Sequence, residues 1–179
     1  MVVEKIKQGD LFVVKTSGFI PWAIRVVQWF WSTDNESTYN HAGVIVSRLG
    51  TTIEAKWRIS RYHLRDIIGK QTMVVRHKDM TTPRFLLGYR AIKPMIGKLY
   101  PVWRLPLHLL RISKFFAFGP GVCSELTAKF MDGACFHNIV YGLTPDDLAD
   151  RWRIDKDMII IFEGILTRDV YESIVQEGL

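Results

Sequence analysis

A glycine-proline-glycine punctuation followed by an amphipathic run constrains this chain more than any other stretch: Phe118-Gly119-Pro120-Gly121-Val122-Cys123-Ser124-Glu125-Leu126-Thr127-Ala128-Lys129-Phe130. Gly119, Pro120 and Gly121 cannot continue a helix without cost, so they predict a sharp turn. From Cys123 the pattern becomes helical, with apolar residues at Leu126, Phe130 and Met131 and a stop at Gly133. Cys123 therefore stands in the first turn of a helix, where unpaired backbone N–H groups and the macrodipole favour an anion. A thiolate is such an anion, and the same N–H groups suit a developing oxyanion. A small apolar residue plugging a helix start is the competing reading, and this stretch alone leaves both open.

The remaining pattern predicts short strands grouped apart from most of the helices. Gly9–Lys15 is a turn and a buried strand, and Phe19–Ser32 has helical spacing. His41–Ser47 and Thr52–Trp57 read as a hairpin with a two-residue turn at Leu49-Gly50. Arg58–Gly69 reads as an irregular basic connection with a short helix, and Thr72–His77 as a third strand. Pro83–Lys98 is a helix whose end is disturbed by Pro94. Thr144-Pro145-Asp146-Asp147-Leu148 carries a helix-start signal, Met158–Phe162 is a last strand, and Thr167–Glu177 a terminal helix. The expected class is α+β around an antiparallel sheet, in one domain spanning residues 1–179.

Charge and cysteine usage narrow the function classes. With 24 Lys and Arg against 18 Asp and Glu the formal charge is +6, which suits an anionic partner such as a phospholipid surface or a cell-wall polymer. Neither a long basic tail nor a nucleic-acid-binding motif is present, so no nucleic-acid partner is expected. Two cysteines twelve residues apart give neither a disulfide framework nor a paired zinc knuckle, and no metal or other cofactor is expected. The apolar stretches Phe19–Trp31 and Val102–Phe118 are each broken by charge. With no signal peptide in the first residues, the expectation is a soluble protein, cytoplasmic or carried in a phage particle.

A nucleophilic cysteine needs a base. Among the five histidines, His63, His77 and His108 read as surface or helix residues, and His137 lacks the further ligands a zinc site wants. His41 opens an apolar strand, and the following Ala42 and Gly43 would let another segment approach closely. A solvent-facing histidine at a strand edge is the alternative. Glu54 is a carboxylate inside an otherwise apolar strand, where alternation puts Thr52, Glu54 and Lys56 on one face, the face of His41. With the two-residue turn, Glu54 lies opposite Ile45, which leaves it four residues from His41, roughly 13 Å along the strand. A bulge or strong coiling is then required to join them.

Together, His41-Ala42-Gly43-Val44-Ile45-Val46, Ile53-Glu54-Ala55 after a glycine-containing turn, and Cys123-Ser124-Glu125-Leu126 resemble the circularly permuted papain-like hydrolases of the NlpC-type superfamily. Lecithin-retinol acyltransferase-like enzymes are relatives of that group. Gly9-Asp10-Leu11-Phe12 resembles the opening strand of these proteins, and Thr144-Pro145-Asp146-Asp147-Leu148 the start of their closing helix. The resemblance implies a papain-like fold with a small barrel-like antiparallel sheet. It implies Cys123 as nucleophile, His41 as base and Glu54 as the residue that orients the imidazole. The implied activity is cleavage of an amide bond, in a peptide or a peptidoglycan stem peptide, through a thioester acyl-enzyme.

Tyr100–Phe118 bears on the substrate. Arg104, His108, Arg111 and Lys114 fall at spacings of four, three and three, so a helix there carries one basic stripe beside a broad apolar face. A peripheral membrane contact through Arg104, Arg111 and Lys114 fits this pattern, as does a core helix with snorkelling basic residues. Three functions stay open: the amidase or peptidase, a lipid acyl hydrolase or acyltransferase at a membrane surface, and a non-catalytic module of a larger assembly.

Overall fold

A computed structural model describes residues 4–17, 38–99, 123–136 and 143–175. Six strands form one antiparallel sheet in the order β4-β3-β2-β1-β5-β6. They are β1 (Leu11–Val14), β2 (His41–Ile45), β3 (Thr51–Ala55), β4 (Ile59–His63), β5 (Gln71–His77) and β6 (Met158–Ile165). Four α-helices accompany them among the described residues: α1 (Thr82–Ile92), α2 (Cys123–Gly133), α3 (Pro145–Ile154) and α4 (Arg168–Ile174). The class is α+β, as the strand and helix patterns predict. The segments 19–32 and 100–118, for which the sequence predicts a helix and a basic stripe, lie outside the described residues.

The sheet is covered on both faces, which is why its central strand β1 is wholly apolar and buried. Alternation sends Leu11, Val13, Ala42, Val44, Met73 and Val75 into one core, with Phe85 of α1, Leu126 and Phe130 of α2, and Trp152 of α3. Phe12, Val14, Ile45 and Val74 enter the other core with Ile6, Leu64, Ile67 and Ile174. Helix α2 packs on β2 and on α1. The contact with α1 is close because Gly88 has no side chain: a Cβ there would lie 2.7 Å from the Phe130 carbonyl oxygen.

Three elements differ from the sequence expectation. Residues 59–63 form the edge strand β4, not an irregular connection. Only Ile59 in it is buried, so there is no apolar alternation to read, and Arg61 is exposed, as suits a sheet edge. The last strand runs on to Ile165, with a bulge opposite Val74/Val75 that leaves Ile161 as the extra residue. Helix α1 ends at Ile92, and Lys93–Met95 form a single 3₁₀ turn around Pro94. Lys93 keeps α geometry and donates to the Tyr89 carbonyl, but Pro94 has no N–H to make the next rung, so the helix stops there.

The hairpin register is the correction that bears on function. Gly43, not Ile45, lies opposite Glu54. The connection is a four-residue loop, Ser47–Gly50, closed by Val46 N–H donating to the Thr51 carbonyl at 2.8 Å and Gly50 N–H to that of Ser47 at 3.0 Å. Relative to a two-residue turn at Leu49-Gly50, every pair is displaced by two residues. An even displacement leaves each side chain on its original face.

Candidate functional site

His41 is the first residue of β2, opposite Val14 of β1, and it is 8% exposed. Glu54 on β3 is 1% exposed and lies diagonally across from it. Diagonal neighbours on one sheet face are within reach of long side chains, so no coiling is required. His41 Nε2 donates to Glu54 Oε2 at 2.8 Å. Gly43 makes this possible, because a Cβ at that position would lie 2.9 Å from Glu54 Cγ and 2.7 Å from the Phe12 ring.

The carboxylate is held at both oxygens. Thr52 Oγ1 donates to Oε1 at 2.6 Å, and Lys56 Nζ lies 3.1 Å from Oε2. Burial disfavours the charged carboxylate, but the hydrogen bond and charge of His41, with Lys56 and Thr52, hold its pKa down to about 2. Burial likewise disfavours a charged His41 ring. Hydrogen bonds to Cys123 and then Glu54 outweigh this and push the imidazole up to about 9.

Cys123 is the first residue of α2 and is 4% exposed, packed with the core on the α2 face of the sheet. It lies beside the His41 ring at the start of β2, so Cys123, His41 and Glu54 form one connected group. Cys135 is exposed and remote from this contact, just beyond the end of the helix.

The other histidines are placed differently. His63 caps the 3₁₀ turn Leu64–Ile67, and the His77 ring stacks on Phe136 with centroids 3.8 Å apart. His108 and His137 fall outside the described residues, as do Arg104, Arg111 and Lys114. Among the described residues, no three of His, Cys, Asp and Glu converge to hold a metal ion, and no helix is long and apolar enough to cross a membrane.

Sequence reasoning missed three further groups. Thr52 and Lys56 were visible on the Glu54 face by alternation, but their contacts depend on side-chain reach. Asp146 read only as part of a helix start. Its carboxylate accepts from the backbone N–H groups of Thr38 and Tyr39, each at 3.0 Å, and so ties α3 to the segment that leads into His41. Helix α3 is itself fixed by a capping box between Thr144 and Asp147. Beside Cys123, the Ser124 hydroxyl is buried with no hydrogen-bond partner among the described residues. A separate cavity of about 360 Å³ lies between α2, α3 and the start of β6, lined by Thr127, Met131, Phe136, Trp152 and Met158, and includes none of the three grouped residues.

Comparison with known proteins adds no identity: no family model matches the chain, and no curated protein matches it significantly.

Proposed function

We propose that the chain is a permuted papain-like cysteine hydrolase that cleaves an amide bond through a Cys123 acyl-enzyme. One observation carries this reading: a buried histidine donates to a buried carboxylate at 2.8 Å and lies near enough to a buried thiol at a helix start for that thiol to raise its pKa. Structural histidines seldom need both. A neutral thiol is a weak nucleophile near pH 7, and an adjacent imidazole is the usual means of activating it.

The steps follow from the placement. Glu54 occupies Nε2 of His41, which leaves Nδ1 to carry the proton given up by the thiol, so that a charged imidazole holds the sulfur as an ion pair. The sulfur attacks the carbonyl carbon, and backbone N–H groups at the start of α2 receive the negative oxygen. The C–N bond breaks as His41 protonates the departing amine, leaving a thioester on Cys123. Water then gives a proton to His41 and attacks the thioester, releasing the acid and restoring the thiol. Glu54 keeps the imidazole oriented and stabilises its charged form throughout.

A second reading, cleavage or transfer of a lipid acyl group at a membrane, draws on the turn that follows Glu54. Trp57 and Leu99 are 70% and 66% exposed, and Arg58 pairs with Leu99 in a short bridge beside Lys98. Exposed tryptophan among cations suits an anionic lipid surface.

Limiting iodoacetamide near neutral pH, followed by peptide mapping, tests the shared chemistry. Cys123 is expected to label before the more exposed Cys135, and His41→Ala to abolish that preference. Preferential labelling of Cys135 in the folded protein would defeat both enzyme readings and favour a non-catalytic module. Peptidoglycan fragments and phospholipid vesicles, offered separately to wild type and Cys123→Ala, then divide the two substrates.

A further inference from the structure

Glu54 is shared, and the sharing has a direction. Its Oε2 accepts from His41 Nε2 at 2.8 Å and lies 3.1 Å from Lys56 Nζ, while Thr52 occupies Oε1 at 2.6 Å. We propose that Lys56 is a positioning residue that divides the Glu54 carboxylate with His41 and thereby sets how readily the imidazole gives up its proton. This rests on the reading of His41 as the base.

A carboxylate that is 1% exposed needs a cation whichever state the histidine is in. When the ring is charged, Glu54 has two cations on one oxygen. When the ring is neutral, Lys56 alone keeps the carboxylate ionised. Lys56 therefore stabilises the neutral-imidazole state relative to the charged one, through repulsion between the two cations and through its hold on Glu54. Without it, the proton released by His41 would leave a buried, unbalanced carboxylate behind, and His41 would release it less readily.

The lysine is fixed for this task. Its ammonium sits 3.7 Å above the centre of the Tyr62 ring, on the strand beyond Glu54, and its side chain is 32% exposed. The fully surface pair Lys78–Asp157 is different, with both side chains about half exposed. Around His41 the described charged and titratable groups are Glu54 of β3, Lys56 just beyond its end, Tyr62 of β4 beneath the lysine, and Cys123 of α2. β1 contributes the apolar Val14.

The test is a pH titration of His41 by NMR in the histidine-labelled full chain, for wild type, Lys56→Met, Lys56→Gln and Lys56→Arg. Gln keeps a hydrogen-bond donor to Glu54 without the charge, so a variant that only lost structure is separated from one that lost the cation. The Met and Gln variants are expected to raise the His41 midpoint by about one unit, the low end for a charge this close because the lysine is part exposed. Arg is expected to leave the midpoint at the wild-type value. The alkaline limb of Cys123 alkylation should move with the midpoint. Unchanged midpoints in Met and Gln, or an equal rise in Arg, would overturn the proposal. Failure of wild-type Cys123 to alkylate would instead remove the hydrolase reading, while the His41 midpoints still decide the role of Lys56.

Discussion

Raising the pH from 6.5 to 9.5 should destabilise this protein by an amount that depends on His41. The imidazole rises from an ordinary 6.5 to about 9 in the folded chain. A group whose folded pKa is raised contributes stability that is complete below its unfolded value and is lost as pH climbs through the folded one. The window is therefore pH 6.5 to 9. A shift of about 2.5 units at 1.36 kcal/mol per unit gives about 3 kcal/mol. Glu54 is depressed to about 2 largely by the same contact, so its share is not added again. Glu54 stays ionised across the window and loses its own contribution only as pH falls from about 4.5 to about 2.

Thermal melts of wild type and His41→Gln at pH 6.5 and 9.5 isolate the contribution of His41 and its contacts, because groups that do not touch it cancel in the difference. At roughly 2–4 °C per kcal/mol for a chain of this size, wild type should lose about 6–12 °C more than the variant. Cys123→Ala removes the strongest of the interactions that raise His41, so its excess loss should be smaller than that of wild type. Equal losses in wild type and His41→Gln would show that His41 is not held charged by Cys123 and Glu54, and the reasoning about the site would fail with it.

Other substitutions probe the supports of the group. Gly43→Ala should cost about 1–3 kcal/mol in urea melts, because its Cβ would meet Phe12 at 2.7 Å and Glu54 Cγ at 2.9 Å. Displacement of Glu54 should also slow Cys123 alkylation, and an unchanged alkylation rate would mean that the carboxylate does not depend on the gap. Ser124→Ala removes a buried hydroxyl with no partner among the described residues, so stability should stay level or rise by up to about 1 kcal/mol. A clear loss in the melt would reveal a partner for it. Asp146→Ala strips the acceptor from two backbone N–H groups and should cost about 1–3 kcal/mol. Faster amide exchange at Thr38 and Tyr39 is the expected signature, and full protection there would contradict the tether.

Which residues share a face was legible in the sequence; which residues touch was not. The alternation of Thr52, Glu54 and Lys56 against Ile53 and Ala55 survives any even displacement of the hairpin, since side chains repeat every two residues. The sequence therefore places Glu54 on the His41 face although the turn it suggests is too short. The actual loop length depends on how Ser47–Gly50 closes. Ser47 supplies both a carbonyl for Gly50 and a hydroxyl for the Leu49 N–H, and that choice leaves little trace in composition. Strand β4 was hidden for a related reason, because a single inward Ile59 cannot establish a period.

The two-residue displacement also explains why Gly43 matters more than its place in an apolar strand suggests. With Ile45 opposite Glu54, the carboxylate would have faced a branched side chain and been far from any base. With Gly43 opposite, the same carboxylate crosses an open position to reach His41, and Phe12 packs in from the other side. A glycine within a strand weakens it, by entropy and by the lost side chain, and frequently marks a close approach. Here the approach joins a core carboxylate to the histidine that also meets Cys123. Stability alone would favour apolar side chains at 41 and 54, since replacing a buried ion pair by packed hydrophobic residues is often neutral or stabilising. The bare position at 43 is what gives the pair room to form instead.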